Sequence, residues 1–297
     1  MNLMKLKNKF KLYAVAGQTG LKAKYIADKY EAAYATTKYD EILQDDAIDL
    51  VMICTRHDTH ADLVLRSLRS GKHVFVEKPL AVKPEELDAI TSFYNSHNGA
   101  QDNVPLLMVG FNRRFSPYNT VIKKVVDNRS NPLIIRYRMN AGYLPPDHWV
   151  FDQGGRIIGE ACHIIDLMTY LTGSKIKSIY SESIIPSTEK YQREDNKTIV
   201  LQYEDGSICS LDYFSSGHAA LPKEYMEVHF DGKSIVMDDY QALKGYGVEL
   251  ETVKNPVSPK GHLAELEVLY SILREETTEW PIPFRDMVQT TEATFLV

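Results

Sequence analysis

Gly71-Lys72-His73-Val74-Phe75-Val76-Glu77-Lys78-Pro79 is the stretch on which the fold class turns. His73 to Val76 has the length and apolar, valine-rich content of a buried strand, and Pro79 cannot continue it. Glu77 and Lys78 therefore stand side by side at the C-terminal end of a strand. In open α/β sheets ligands bind at that end. The position before a proline also pushes Lys78 towards extended backbone, and its bond to Pro79 is one that adopts cis at modest cost. Taken alone, the nine residues read equally well as a strand end whose charged tips face water.

The residues on either side repeat the pattern. Lys11 to Ala16 reads as a strand, Leu21 to Tyr30 and Tyr39 to Gln44 as helices, and Ile48 to Cys54 as a strongly apolar strand. Thr59 to Ser70 reads as a helix, Pro84 to about His97 as another with proline in its first turn, and Leu106 to Val109 as a strand. Repeated βα units of this size imply a parallel, doubly wound sheet with right-handed crossovers. After about Ser116 the pattern changes to long alternating runs: Leu133 to Asn140, Ile176 to Ser183, Lys197 to Tyr203, Ile208 to Phe214, Tyr225 to Phe230 and Ser234 to Asp238. Asp205-Gly206 and Asp231-Gly232 lie between such runs and signal short hairpins. The expected architecture is a Rossmann-like domain over residues 1–115, then an α+β domain over 116–297 with a large, mostly antiparallel open sheet. Helices Gly261 to Arg274 and Phe284 to Phe295 close the chain, the last packing back on the first domain.

Composition narrows the function. The 297 residues suit two domains, and 44% hydrophobic with 25% charged residues is ordinary for a globular chain. A net charge of -6 without any basic block gives no electrostatic reason to approach nucleic acid or an anionic membrane, so a small molecule is the expected partner. Cys54, Cys162 and Cys209 are odd in number and far apart, which fits reduced thiols in a cytoplasmic protein better than a disulfide framework. Met1 to Lys11 has no continuous apolar segment, and no later window approaches a membrane span.

Three further constellations carry chemistry. Thr55-Arg56-His57-Asp58-Thr59-His60 runs off a strand end into a helix capped by Asp58 or Thr59, where amides and a positive dipole end face an anion such as a phosphate. It is equally a polar turn with a good cap. No further ligand accompanies His57, Asp58 and His60 at a recognisable metal-binding spacing, so no metal is expected. Gly154-Gly155-Arg156-Ile157-Ile158-Gly159-Glu160-Ala161-Cys162-His163 looks helical from Ile157, which puts Glu160 and His163 on one face, an arrangement suited to proton transfer or to an ordinary core histidine. Gly110-Phe111-Asn112-Arg113-Arg114-Phe115 sits at a strand end, and Gly142 to Trp149 is a rigid aromatic loop of the kind that stacks on sugar rings or packs on a surface.

The order and spacing of these segments, from about Lys11 to about Phe295, resemble the glucose-fructose oxidoreductase, inositol dehydrogenase and MocA family (Gfo/Idh/MocA). The resemblance implies NAD(P)-dependent hydride transfer at a sugar, inositol or nucleotide-sugar alcohol, with NAD or NADP as cofactor and a homodimer or homotetramer formed through the open sheet. Carried over by position, Lys78 contacts the nicotinamide side and the substrate hydroxyl, and His163 is its acid/base partner, with Glu160 beside it. The candidate cofactor residues are Thr55, His57, His60, Glu77, Lys78, Gly17 and Gln18; the candidate substrate residues are Asn112, Arg113, Tyr143, His148 and Trp149.

Two departures stand out. The family commonly has an aspartate four residues before the histidine, where this chain has Gly159. The family also opens with a strand and a G-x-G-x-x-G loop. Val15-Ala16-Gly17-Gln18-Thr19-Gly20 keeps only the last two glycines of that pattern, and spacing from Lys78 aligns Lys11 to Ala16 with the family's second strand. The resemblance thus implies a Rossmann domain truncated before its first strand and Gly-rich loop. A non-catalytic binding or assembly subunit of the same descent is the alternative.

Overall fold

The computed structural model describes residues 2–97, 104–254, 256, 258–274 and 280–297. After a short helix, α1 (Asn2–Lys5), β and α elements alternate: β1 (Ala14–Ala16), α2 (Gly20–Lys29), β2 (Tyr34–Thr36), α3 (Tyr39–Leu43), β3 (Leu50–Ile53), α4 (His60–Arg69), β4 (His73–Val76), α5 (Pro84–Ser96) and β5 (Leu107–Val109). All pairings among these strands are parallel. β4 is buried on both faces, which is why His73 to Val76 reads as a continuous apolar run rather than an alternation. The parallel strands fall into two sheets, β1-β2 and β3-β4-β5. In the usual 3-2-1-4-5-6 order a further strand lies between such halves. Among the described residues none stands between β1 and β3, and each leaves one edge without a strand partner. The three-residue β2 is too short for a periodic signal and is not visible in the sequence pattern.

The rest of the chain forms α6 (Pro117–Val126), β6 (Ile134–Asn140), a π-helical turn over Ile157–Ala161, α7 (Cys162–Thr172), β7 (Ile176–Ser183), β8 (Asn196–Tyr203), β9 (Ile208–Phe214), β10 (Glu224–Phe230), β11 (Lys233–Asp238), β12 (Ala242–Tyr246), α8 (His262–Leu273) and α9 (Phe284–Phe295). The seven strands run β12-β11-β10-β6-β9-β8-β7 in one sheet. Every pairing is antiparallel except β6 with β9. Both expected hairpins form, β8-β9 around Asp205-Gly206 and β10-β11 around Asp231-Gly232. Asp231 and Gly232 take φ of 46° and 72°, the two positive values a tight two-residue hairpin requires. β12, with Gly245 as its fourth residue, is an edge strand that the alternation does not announce.

Period-two alternation buries one face of this sheet. Tyr137, Met139, Leu201, Tyr203, Leu211, Tyr213, Val228 and Met237 point inward against α6 and α7. α7 is buried throughout except at Tyr170, as expected of a helix held between layers, and its buried polar residues include Asp166. A second core surrounds β3-β4-β5, and α8 and α9 contribute Leu266, Leu269 and Met287 to it. The C-terminal helices therefore pack back on the parallel sheet.

The join between the two cores is ionic. A 3-10 turn, Asn112–Phe115, follows β5 and carries two adjacent arginines that point to different partners. Arg113 donates to Glu224 at 2.7 and 2.9 Å, and Lys260 and Tyr137 donate to the same carboxylate at 2.5 and 2.6 Å. Arg114 donates to Asp166 on α7 at 2.9 and 2.5 Å, with Asp286 of α9 3.7 Å away. Gly261, at φ +90°, lets the chain pass so close to Asn112 that a side chain there would overlap its carbonyl oxygen.

Burial alone would raise the Glu224 carboxyl, but Arg113 and Lys260 outweigh it and bring it from 4.5 down to about 2. A carboxyl held below its unfolded value stabilises the fold above that value and loses the contribution as pH falls through its folded value. Stability should therefore decline as pH drops from 4.5 towards 2. Glu224→Gln, which leaves Arg113 buried without its counter-charge, should cost about 3–5 kcal/mol by urea denaturation at pH 7.

Candidate active site

Because β3, β4 and β5 are parallel, their C-terminal ends share one edge, and the Thr55 to His60 turn, the Glu77-Lys78-Pro79 segment and the Asn112–Phe115 turn all emerge there. The π-helical turn and the start of α7 approach the same edge from the other side. Lys78 Nζ donates to the Gly159 carbonyl at 2.7 Å, spanning 81 residues of sequence. The Lys78–Pro79 bond is cis.

His163, the first-turn histidine of α7, is 7% exposed, and its Nδ1 is buried with no hydrogen-bond partner. Burial first, then the charges of Arg113, Lys78, His262 and Lys223, push its imidazole well below the usual value, so it is neutral at physiological pH. His57 lies on the opposite wall and is also 7% exposed. Its pKa falls to about 4 for the same reason, burial and then Lys78. Two neutral imidazoles thus flank one ammonium.

Glu160 keeps different company from that expected. It accepts from Lys223 at 2.5 Å, Tyr213 at 2.6 Å and Arg156 at 3.1 Å. Burial would raise its carboxyl, yet these partners, Lys223 foremost, hold it at about 2. A carboxylate so held is a poor proton acceptor at neutral pH, and the extra residue in the π turn is what upsets the expected sharing of a helix face with His163.

Several sequence-chosen residues turn out to hold the site rather than line it. His60 is fully buried; its Nδ1 donates to Pro79 O at 2.7 Å and its Nε2 lies 3.2 Å from Thr55 O, tying two loops together, which removes it from contact with a cofactor. Asn112 and Arg113 are 2% and 6% exposed and spent on Lys260 O and Glu224, so neither is free for substrate. Helix α4 starts at His60 after a 3-10 turn over His57–Thr59, and neither Asp58 nor Thr59 makes a side-chain cap bond there. Trp149 does reach the site: it packs edge-on to His57 at 5.0 Å, lies under Arg56 at 5.2 Å, and has His148 at 5.6 Å. Tyr143 lies beside Tyr191 at 6.0 Å. Thr55 and Glu77 stand at the strand ends as expected. Gly17 and Gln18 line a separate cavity of about 210 Å³ at the N-terminus of α2. Lys223 and His262, which press on His163, follow no spacing that sequence reading could use.

Parallel strands carry Lys78, and helix α7 of the second part of the chain carries His163 to the same edge of a two-part α/β fold. The chain belongs to the Gfo/Idh/MocA oxidoreductase family: residues 1–100 match the oxidoreductase family's NAD-binding Rossmann fold, and residues 130–236 match the GFO/IDH/MocA C-terminal domain. It is 27% identical to the uncharacterized oxidoreductase YrbE of Bacillus subtilis (strain 168), over 68% of this chain and 59% of that protein. It is 24% identical to myo-inositol 2-dehydrogenase of Thermotoga maritima, over 68% of this chain and 60% of that enzyme. The chain thus spans less than two thirds of the length of either relative. Its fold is similar to that of levoglucosan dehydrogenase solved with NADH and levoglucosan, with a TM-score of 0.80 at 20% identity over 99% of this chain and 90% of that one. Among the described residues no helix is long and apolar enough to cross a membrane, and no group of three His, Cys, Asp or Glu side chains is placed to hold a metal.

A pair of carboxylates sits behind the lysine. Glu265 of α8 is 3% exposed with Oε2 unpartnered, and burial followed by the charge of Glu77 pushes its carboxyl well above the usual value. Burial raises Glu77 as well. A carboxyl raised in the folded state favours the protonated form, so it costs stability progressively as pH rises from the unfolded value through the folded one. Glu265→Gln, which keeps the shape and removes the titration, should raise the melting temperature by more at pH 8 than at pH 5, with roughly 1–3 kcal/mol gained at the higher pH.

Proposed function

We propose that this chain is an NAD(P)-dependent oxidoreductase acting on the hydroxyl carbon of a sugar, inositol or nucleotide sugar, with Lys78 and His163 handling the hydroxyl proton. The observation that carries this reading is the meeting of a half-buried ammonium and a neutral, unpartnered imidazole at the C-terminal edge of a parallel sheet. Family membership and the fold likeness to a levoglucosan dehydrogenase support the substrate class.

The residues present fit a dinucleotide at two places. Thr55, Glu77 and Lys78 would hold its nicotinamide end at the β3 and β4 termini, and His57 walls that region. The Gly17 to Thr19 turn opens on the cavity at α2, where the N-cap residue Thr19 makes no side-chain bond and Lys22 adds a positive charge, which suits the adenosine end. When bound, the nicotinamide supplies the hydride acceptor or donor. Lys78 Nζ, held by Gly159, donates to the substrate oxygen and favours the negative charge that builds on it. His163 accepts the hydroxyl proton in oxidation and returns it in reduction. Glu160 fixes Lys223 at the cleft wall rather than exchanging protons. The outward face of the large sheet, with Ile134, Ile208 and Tyr180 exposed, is the proposed homo-oligomer surface.

A second reading, a non-catalytic binding or assembly subunit, is favoured by the gap between β1 and β3, since among the described residues no strand stands there to carry a glycine turn to a pyrophosphate. Calorimetry with NAD(H) and NADP(H), followed by turnover assays on sugars and inositols, separates the two. Dinucleotide binding and turnover that falls roughly 10²–10⁴-fold in Lys78→Ala support the enzyme. Absence of dinucleotide binding, or full activity in Lys78→Ala, would favour the subunit.

A further inference from the structure

We infer that His57 is a positioning residue for Lys78, acting through Gly159. This inference rests on the reading of Lys78 as the amine of the site. His57 and Gly159 lie 102 positions apart in the sequence and in direct contact in space. A Cβ built on Gly159 would stand 2.5 Å from His57 Cε1, 3.2 Å from Nδ1 and 3.5 Å from Nε2. The imidazole fills the volume that any side chain at 159 would need.

Gly159 has no conformational reason to be glycine. It does not take a positive φ, it sits inside the helical turn Ile157–Ala161, and glycine is less favourable there than alanine. What excludes alanine is the ring. The ring in turn has little freedom: it packs edge-on to Trp149 at 5.0 Å and to His60 at 5.9 Å, and its Nδ1 lies 3.4 Å from the Gln153 carbonyl. His60 is itself pinned to Pro79, the residue after Lys78.

Residue 159 is therefore gripped on two sides. The imidazole bears on its Cα, and its carbonyl receives the Lys78 ammonium at 2.7 Å. That carbonyl belongs to the π turn Ile157–Ala161. The thickness of the ring then sets how far the turn stands from the β3 loop, and so where the ammonium is held. A larger residue at 159 moves the carbonyl away from Lys78; a smaller residue at 57 leaves the turn without a back-stop. The two changes made together refill the space.

The test needs neither cofactor nor substrate. Wild type, Gly159→Ala, His57→Ala and the double variant are treated with limiting acetic anhydride, and the acetylation rate of Lys78 is measured by peptide mass spectrometry relative to the other lysines. Circular dichroism confirms folding. Gly159→Ala and His57→Ala should each label Lys78 about tenfold faster, as expected when an ammonium–carbonyl bond is lost, and the double variant should return to within about twofold of wild type. Wild-type labelling in folded Gly159→Ala overturns the inference, as does a double variant that labels as fast as the singles. If Gly159→Ala does not fold, His57→Ala and the double variant decide: equal Lys78 rates in these two and wild type overturn it. An active Lys78→Ala enzyme would remove the catalytic role and leave this pairing standing.

Discussion

The two adjacent arginines of the Asn112–Phe115 turn carry the architecture. One points to Glu224 at the start of β10 and the other to Asp166 within α7, so a single 3-10 turn after β5 is bonded to the large sheet and to the helix packed upon it. Each guanidinium is bidentate to its carboxylate, which fixes orientation as well as distance. Both pairs are buried, and burying charge is tolerated only with such complete pairing. Their consequence reaches the site. Asp166 lies three residues after His163, so the pair that anchors α7 also sets where His163 stands relative to the strand ends that bear Lys78.

The electrostatics of the cleft follow from that anchoring. Arg113, Lys78, Lys223 and His262 all act on His163, and with burial they keep its ring neutral. Three cations that border the cleft are paired with carboxylates, Lys223 with Glu160 and both Arg113 and Lys260 with Glu224, whereas Lys78 has a carbonyl. Lys78 is the cation whose partner carries no charge, which leaves its positive charge available to an anionic oxygen.

Sequence and structure part company where a buried polar side chain had to be assigned a task. Asn112, Arg113 and His60 carry the residue types of a binding site and lie at strand ends, yet each is consumed by a partner distant in sequence: Lys260, Glu224 and Pro79. Glu160 and His163 have the spacing of one helical face, but the π turn rotates the carboxylate away to Lys223 and Tyr213. Trp149 comes to His57 through the fold of a loop whose path no local pattern encodes.

By itself the sequence determined the parallel βα units, the change to alternating strands after Ser116, both hairpin turns and the place of Lys78 at a strand end. Those features rest on local period, turn chemistry and backbone restriction, which neighbours in the chain express directly. Only the tertiary structure decided that β1 and β3 belong to separate sheets, that Gly159 receives the lysine, and that His57 occupies the space beside it. Such contacts join residues 80 to 150 positions apart. They depend on the packing of one core against another, which residue type and spacing do not record.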